Sequence, residues 1–196
     1  VTAAANGSGG GGGGASAIND LSDAYTADSG NTIGLGTGAL ANDDGSDNKA
    51  TALGFNALNS LTTGNSNTAV GHTAGQDSTT GFGNNFFGYN AGENVTTGYW
   101  NICLGNDAGK NLTTAFGNIL IGDSAAGRVN DVNKTIAIGV YAGRGSSTDT
   151  VVIGYEAKYK FNGSSNNSVI IGSQAGYDVE SNNQVFIGYR AGYEVS

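Results

Sequence analysis

Apolar residues fall in short runs of three or four along this chain, with longer stretches of Asn, Gly, Thr, Ser and Asp between them. "NNFFGYNAG" (Asn84–Gly92) is followed seventeen residues later by "NICLGNDAG" (Asn101–Gly109). With the glycine that closes each apolar run as an anchor, the spacing continues through Gly36, Gly54, Gly71, Gly88, Gly105, Gly122, Gly139, Gly154, Gly172 and Gly188. An alanine stands three residues after each anchor, from Ala39 to Ala191, without exception. A large apolar residue stands directly before it: Leu35, Leu53, Val70, Phe87, Leu104, Ile121, Ile138, Ile153, Ile171 and Ile187. A fixed period of this length is the signature of a solenoid or an array of like units.

The repeat predicts strands. A unit of seventeen residues is too short for a helix pair, and none of it has a 3.6-residue period. Ile, Val and Phe before the anchor favour extended backbone, and the Asn, Asp, Gly, Ser and Thr that follow favour turns. The fold expected is all-β: a parallel β-roll or β-solenoid of about ten coils, one per repeat. At roughly 4.8 Å between stacked strands it would be a rod on the order of 45–50 Å long. The invariant alanine fits a tight corner, and the anchor glycine fits a bend that needs positive φ or close backbone approach.

Alternation along a strand puts neighbouring side chains on opposite faces. The residue directly before the anchor is expected inside the coil. The residue two before it would then point outward: Gly34, Ala52, Ala69, Phe86, Cys103, Leu120, Ala137, Val152, Ile170 and Phe186. None of these is polar, whereas a strand with one wet face should alternate. Either the chain's own turn segments cover this row, or other copies do. The second reading is preferred and gives a homotrimer, intertwined or side by side, with Phe86, Cys103, Leu120, Val152, Ile170 and Phe186 at its interface.

Composition narrows the function classes. The 196 residues include 35 glycines and no proline, and the formal net charge is −8 with only eight Lys and Arg. Such a surface repels phosphate backbones and anionic lipid, which argues against nucleic-acid and membrane-surface binding. No apolar run approaches the roughly 18 residues of a membrane span, and no basic-then-apolar leader opens the chain. Residues 1–30, with Gly9–Gly14 at their centre, read as a glycine-rich N-terminal segment or linker; residues 31–196 form the repeat domain.

Candidate chemistry is sparse. His72 and Cys103 are the only histidine and cysteine, and a stacked rod offers no cleft where a catalytic arrangement would converge. His72 reads as a turn residue and Cys103 as a small buried hydrophobe, so an enzyme is not expected, nor a cofactor. "NDDGSDN" (Asn42–Asn48) gathers Asp43, Asp44 and Asp47 around a glycine, oxygen donors suited to a structural Ca²⁺; the alternative is a solvated insertion loop. Asn67, Asn84, Asn101 and Asn118 step by seventeen, four before their anchors, and are expected to form a stacked amide ladder. Phe82, Tyr99 and Phe116 also step by seventeen. Inward they would be core, the preferred reading; outward they would form a strip able to lie on sugar rings. Phe55, Tyr89, Tyr155 and Tyr189 directly follow their anchors and are surplus to a core, which makes them, with Trp100, candidates for receptor contact.

The anchor motif, as in "TIAIGVYAG" (Thr135–Gly143), resembles the head repeats of trimeric autotransporter adhesins, left-handed β-rolls whose three chains share a core. The longer wording of "LTTGNSNTAVGHTAG" (Leu61–Gly75) and "VTTGYWNICLGNDAG" (Val95–Gly109) is similar to bacteriophage tail-fibre proteins. The N-terminal "GGGGGGASAINDLSDAY" followed by "GLGTGALANDDG" is similar to tail-fibre and fibre-like proteins of marine bacterial viruses. The resemblance spans about residues 9–196. It implies a virion component: a trimeric tail-fibre rod that holds other tail proteins through its N-terminal segment and attaches to a host-surface glycan or protein. The alternative is a bacterial trimeric surface adhesin, or a self-assembling extracellular filament. Fibres of this kind often carry a C-terminal chaperone that cleaves itself off at a serine, which makes Ser196 a candidate maturation terminus. Departures from the pattern are the short interval before Gly154 and Lys158, where other copies have Gly, Leu or Ala; they predict a local deformation around the eighth coil.

Overall fold

Each apolar triplet is a strand of three residues because the anchor glycine ends it. All ten anchors have φ between +122° and +138°, a region that side-chain-bearing residues rarely enter. The chain then turns sharply: the amide of every invariant alanine donates to the carbonyl of its own anchor, at 3.0–3.5 Å. A β-carbon on Gly105 would sit 2.5 Å from the carbonyl oxygen of Gly122, one coil on, and the other anchors are packed alike up to Gly172. Glycine is therefore required twice over, by its dihedral and by the coil stacked against it.

The computed structural model describes residues 24–26, 31–45, 48–130, 132–145, 148–160, 166–179 and 181–195. Most of the N-terminal segment (1–23 and 27–30), Asp47 and Ser196 lie outside the described residues. The fold is an all-β solenoid. Strand β1 (Ala24–Thr26) pairs antiparallel with β2 (Ile33–Leu35). From β2 the sheet runs parallel through β3 (Thr51–Leu53), β4 (Thr68–Val70), β5 (Asn85–Phe87), β6 (Ile102–Leu104) and β7 (Ile119–Ile121). It continues through β8 (Ile136–Ile138), β9 (Val151–Ile153) and β10 (Val169–Ile171) to β12 (Val185–Ile187). A second, two-stranded parallel sheet joins β11 (Asp178–Val179) to β13 (Glu194–Val195). Register advances by one repeat per strand, so that Phe86 lies beside Cys103 and Cys103 beside Leu120. It also holds across the short eighth repeat, where Ile136 pairs with Val151. The shortening is taken up in the turns behind the sheet, and the strands are not deformed.

The interior is narrow. It is filled by the middle residue of each strand, by the alanine of the corner and by a Leu or Val seven residues after the anchor, such as Leu61, Val95, Leu112 and Val129. Opposite the strand lies the position four after the anchor, and the two trade volume. Phe86 packs where a β-carbon on Gly75 or Gly92 would be within 2.5 Å of its ring; the earlier coils have alanines on the strand, Ala52 and Ala69, and buried Leu40 and Leu58 in the turn.

This placement corrects the expected facing of the strands. Ala52, Ala69, Phe86, Cys103, Leu120, Ala137, Val152 and Ile170 point into their own coil and are buried. Phe86, Cys103, Leu120, Val152 and Ile170 are therefore not interface residues, and Phe186 in the last strand is partly buried against the same core. The residues before the anchors face outward. Room decides it: a coil closed in seventeen residues admits one side chain per strand, and the buried asparagine four before the anchor shares that face.

Candidate functional site

The parallel sheet turns one face outward from the coil along its length. Its two columns are the residues one and three before the anchors. They include Leu53, Phe87, Ile102, Leu104, Val185 and Ile187, all exposed, with Ile119, Ile121, Ile136, Ile138, Val151, Ile153, Val169 and Ile171 half-exposed. Only Thr51, Thr68 and Asn85 are polar. Leu104 has 45% of its surface open. Single exposed leucines mean little, but a continuous flat apolar strip on a folded chain marks a contact surface.

Three ladders of aromatic rings run beside this strip or behind it. Phe55, His72 and Tyr89, each one residue after its anchor, stack with centroids 4.9 and 5.2 Å apart. Tyr155 and Tyr189 occupy the same column, and all four aromatic candidates there are exposed, Tyr189 to 72%. Phe82, Tyr99 and Phe116 stack at 5.0 Å, nearly parallel. They lie outside the coil, against the inward packing preferred from the sequence, because one buried side chain per strand already fills the interior. Trp100 stands edge-on to Phe82 and Tyr99 and 62% exposed; a β-carbon on Gly83 would meet its Cδ1 at 2.7 Å. Tyr159, Tyr177 and Tyr193 form a third ladder, at 5.3 and 4.8 Å, on the turns. In all three the rings cover each other's faces, so only edges and end rings are offered to a ligand. Trp100 is free of that restriction.

The amide ladder stands as expected. Asn67, Asn84, Asn101 and Asn118 are fully buried. Each side-chain amide from Asn84 on donates to the carbonyl oxygen of the previous one, at 3.1, 3.0 and 2.8 Å. Each also donates to a backbone carbonyl fourteen residues ahead, as Asn101 does to Ala115 at 2.7 Å. The ladder ends at Thr135, whose backbone amide donates to Asn118.

Asp43 Oδ1 accepts from the Gly45 amide at 3.1 Å and from Asn48 Nδ2 at 2.8 Å. Asp44 is exposed. Among the described residues, no three or more His, Cys, Asp or Glu side chains converge as a metal-binding group. Cys103 has no accessible surface, and burial pushes its thiol up to about 12; a thiol so placed is inert.

Two cationic groups gain a meaning that the sequence does not give them: Lys158 stands out there only as a departure from the repeat, and Arg144 does not stand out. Lys158 points into the coil interior with 1% of its surface exposed, its Nζ has no hydrogen-bond partner, and burial pulls its pKa down to about 8. Arg144 is held between the rings of Tyr141 and Tyr159, with its guanidinium carbon 4.9 and 5.0 Å from their centroids. The signal available for Lys158 was its place in a column of Gly, Leu and Ala; Arg144 offered none. Comparison with protein-family models, with curated proteins and with solved structures returns no match.

Proposed function

We propose that this chain is the rod of a viral tail fibre, a homotrimer that extends from the virion and attaches to a host surface. The observation that carries the reading is the outward apolar face of the sheet. A parallel sheet is ordinarily covered on both faces, and this chain covers one with its own coil. The partner that fits the other is equally long and flat, with the same repeat spacing, and another copy of the chain meets that description. Charged side chains lie on the turns, away from the strip, so like-charged copies approach without opposing charges at the contact. The tail-fibre setting rests on the resemblance of the repeat wording and of the N-terminal segment, through which other tail proteins would be held. Attachment, to a glycan or a protein, falls to the side chains left in the open: Trp100, with Phe55, Tyr89, Tyr155 and Tyr189. No reaction is assigned to the rod.

The test is immunogold electron microscopy of the native source with an antibody against the rod. Label along fibres of capsid-bearing particles is expected. Label on capsid-free filaments or on the bacterial surface would overturn the viral setting in favour of an adhesin.

A further inference from the structure

The turn face of the coil has a gap. Five residues after the anchor, successive repeats place Glu93, Lys110, Gly127, Arg144, Tyr159, Tyr177 and Tyr193 in one column. Gly127 is the rung with no side chain, and two after the same anchor stands the short Ser124. A β-carbon on Gly127 would lie 2.6 Å from the Asp107 carbonyl oxygen, so the rung is fixed as glycine by the backbone beside it. The gap is a pocket of about 520 Å³, with Asp107, Lys110 and Asn111 on one side, Tyr141, Arg144 and Tyr159 on the other, and Arg128 at its edge.

The charges around it are unequally satisfied. Lys110 is neutralised by Glu93 at 3.1 Å and Asp107 at 3.5 Å. Asp107 also accepts from Asn90 Nδ2 at 2.8 Å, so its carboxylate is held by two partners. Arg128 and Arg144 form no ion pair among the described residues. Arg144 has only 7% of its surface exposed, and its Nε is buried with no hydrogen-bond partner. Burying a guanidinium against two tyrosines without an anion costs free energy that one bound carboxylate would recover through paired hydrogen bonds. In a chain of net charge −8, this is a local site for an anion.

We infer that the pocket between Lys110 and Arg144 binds the acidic sugar unit of a surface glycan, with the sugar carboxylate on Arg144 and Arg128. Ser124 and the tyrosine hydroxyls supply donors and acceptors for ring hydroxyls, while Asn111 is held in the wall by the Gly127 carbonyl and the Asn94 amide; the volume suits one sugar ring in the common range for small-ligand sites. The inference deepens the attachment reading and rests on it for the source of the glycan, but the binding itself is measurable on the purified chain.

The experiment is isothermal titration calorimetry of the full chain with a glucuronate-containing oligosaccharide, a neutral glucose oligosaccharide of equal length, and inorganic phosphate. Saturable binding of the acidic sugar is expected, with the neutral sugar at least tenfold weaker and phosphate without a saturable isotherm. Arg144→Gln should weaken the acidic sugar at least tenfold. Ser124→Tyr fills the gap with a residue the next coil already has at this position (Tyr141), so it should abolish binding while circular dichroism and native mass stay unchanged. Equal binding of both sugars, equal binding of phosphate, no binding at all, or an unaffected Ser124→Tyr variant would each overturn the site. A rod that is trimeric and labels virions but fails here loses the pocket and keeps its proposed function.

Discussion

Lys158 stands four residues after its anchor, where Leu40 and Leu58 lie buried in earlier coils. Its φ of +48° matches theirs at +52° and +48°, so the backbone already accepts leucine there. The amine pKa falls from 10.5 to about 8 because burial penalises the charged form. A cation whose folded pKa is depressed destabilises the fold below that pKa. Stability then rises as pH climbs from 8 toward 10.5, where the unfolded chain still binds the proton and the folded chain does not. The window corresponds to about 3 kcal/mol. Lys158→Leu should therefore raise the thermal midpoint at pH 7, and the advantage should shrink by about that amount by pH 10.5, read from melts of both proteins across the range. The anchors offer a second comparison at this scale. Gly105→Ala brings a β-carbon to 2.5 Å from a carbonyl oxygen, whereas the same change at Gly188 meets nothing nearer than 4.0 Å. Both carry the dihedral cost of about 1–3 kcal/mol; only Gly105→Ala adds the clash, so its denaturant midpoint should fall well below that of Gly188→Ala.

At the scale of the element, the coil is held by polar ladders as much as by its thin core. Asn101 donates to Asn84 and to the Ala115 carbonyl, and accepts from the side chain of Asn118 at 2.8 Å and from its backbone amide at 3.3 Å. Asn101→Ala takes the donor from the buried Ala115 carbonyl and the acceptor from the Asn118 backbone amide, at about 1–3 kcal/mol each, while Asn84 Oδ1 keeps the backbone amide of residue 101. A loss of about 3 kcal/mol is expected, with hydrogen exchange accelerating first at the Asn118 amide, which donates to the Asn101 side chain; exchange confined to residue 101 would argue against a ladder. Much of this was legible in the chain. The period placed the strands, the glycines and the amide rungs, since each depends on spacing alone. Which strand face points inward was not legible from apolarity, because both columns are apolar and a shift of one residue exchanges them. Side-chain polarity carried the answer: Thr51, Thr68 and Asn85 lie on the outward column, and the buried asparagines share parity with the inward one. The pocket was beyond spacing, because it arises from one absent side chain in a column that runs between turns and not along a strand.

For the whole molecule, the exchange of faces turns the oligomer into a sharp test. If the outward strip is where copies meet, the interface is built from Ile102, Leu104, Ile119 and Ile121, and the buried column beneath it from Cys103 and Leu120. A lysine at Leu104 or Ile121 places a charge in the contact but leaves each coil's interior intact. A lysine at Leu120 puts an unpaired charge in the core, a loss large enough to unfold a marginal domain. The unaltered chain should run in native mass spectrometry as three copies of 19.5 kDa, about 58 kDa. Leu104→Lys and Ile121→Lys should give a 19.5 kDa species that keeps its β-sheet circular dichroism, with Leu120→Lys losing that signal. A folded, unassociated protomer in the unaltered protein would mean that water alone covers the strip. The sheet would then be stable with its outer apolar column bare, and two-sided burial would not require a trimeric rod.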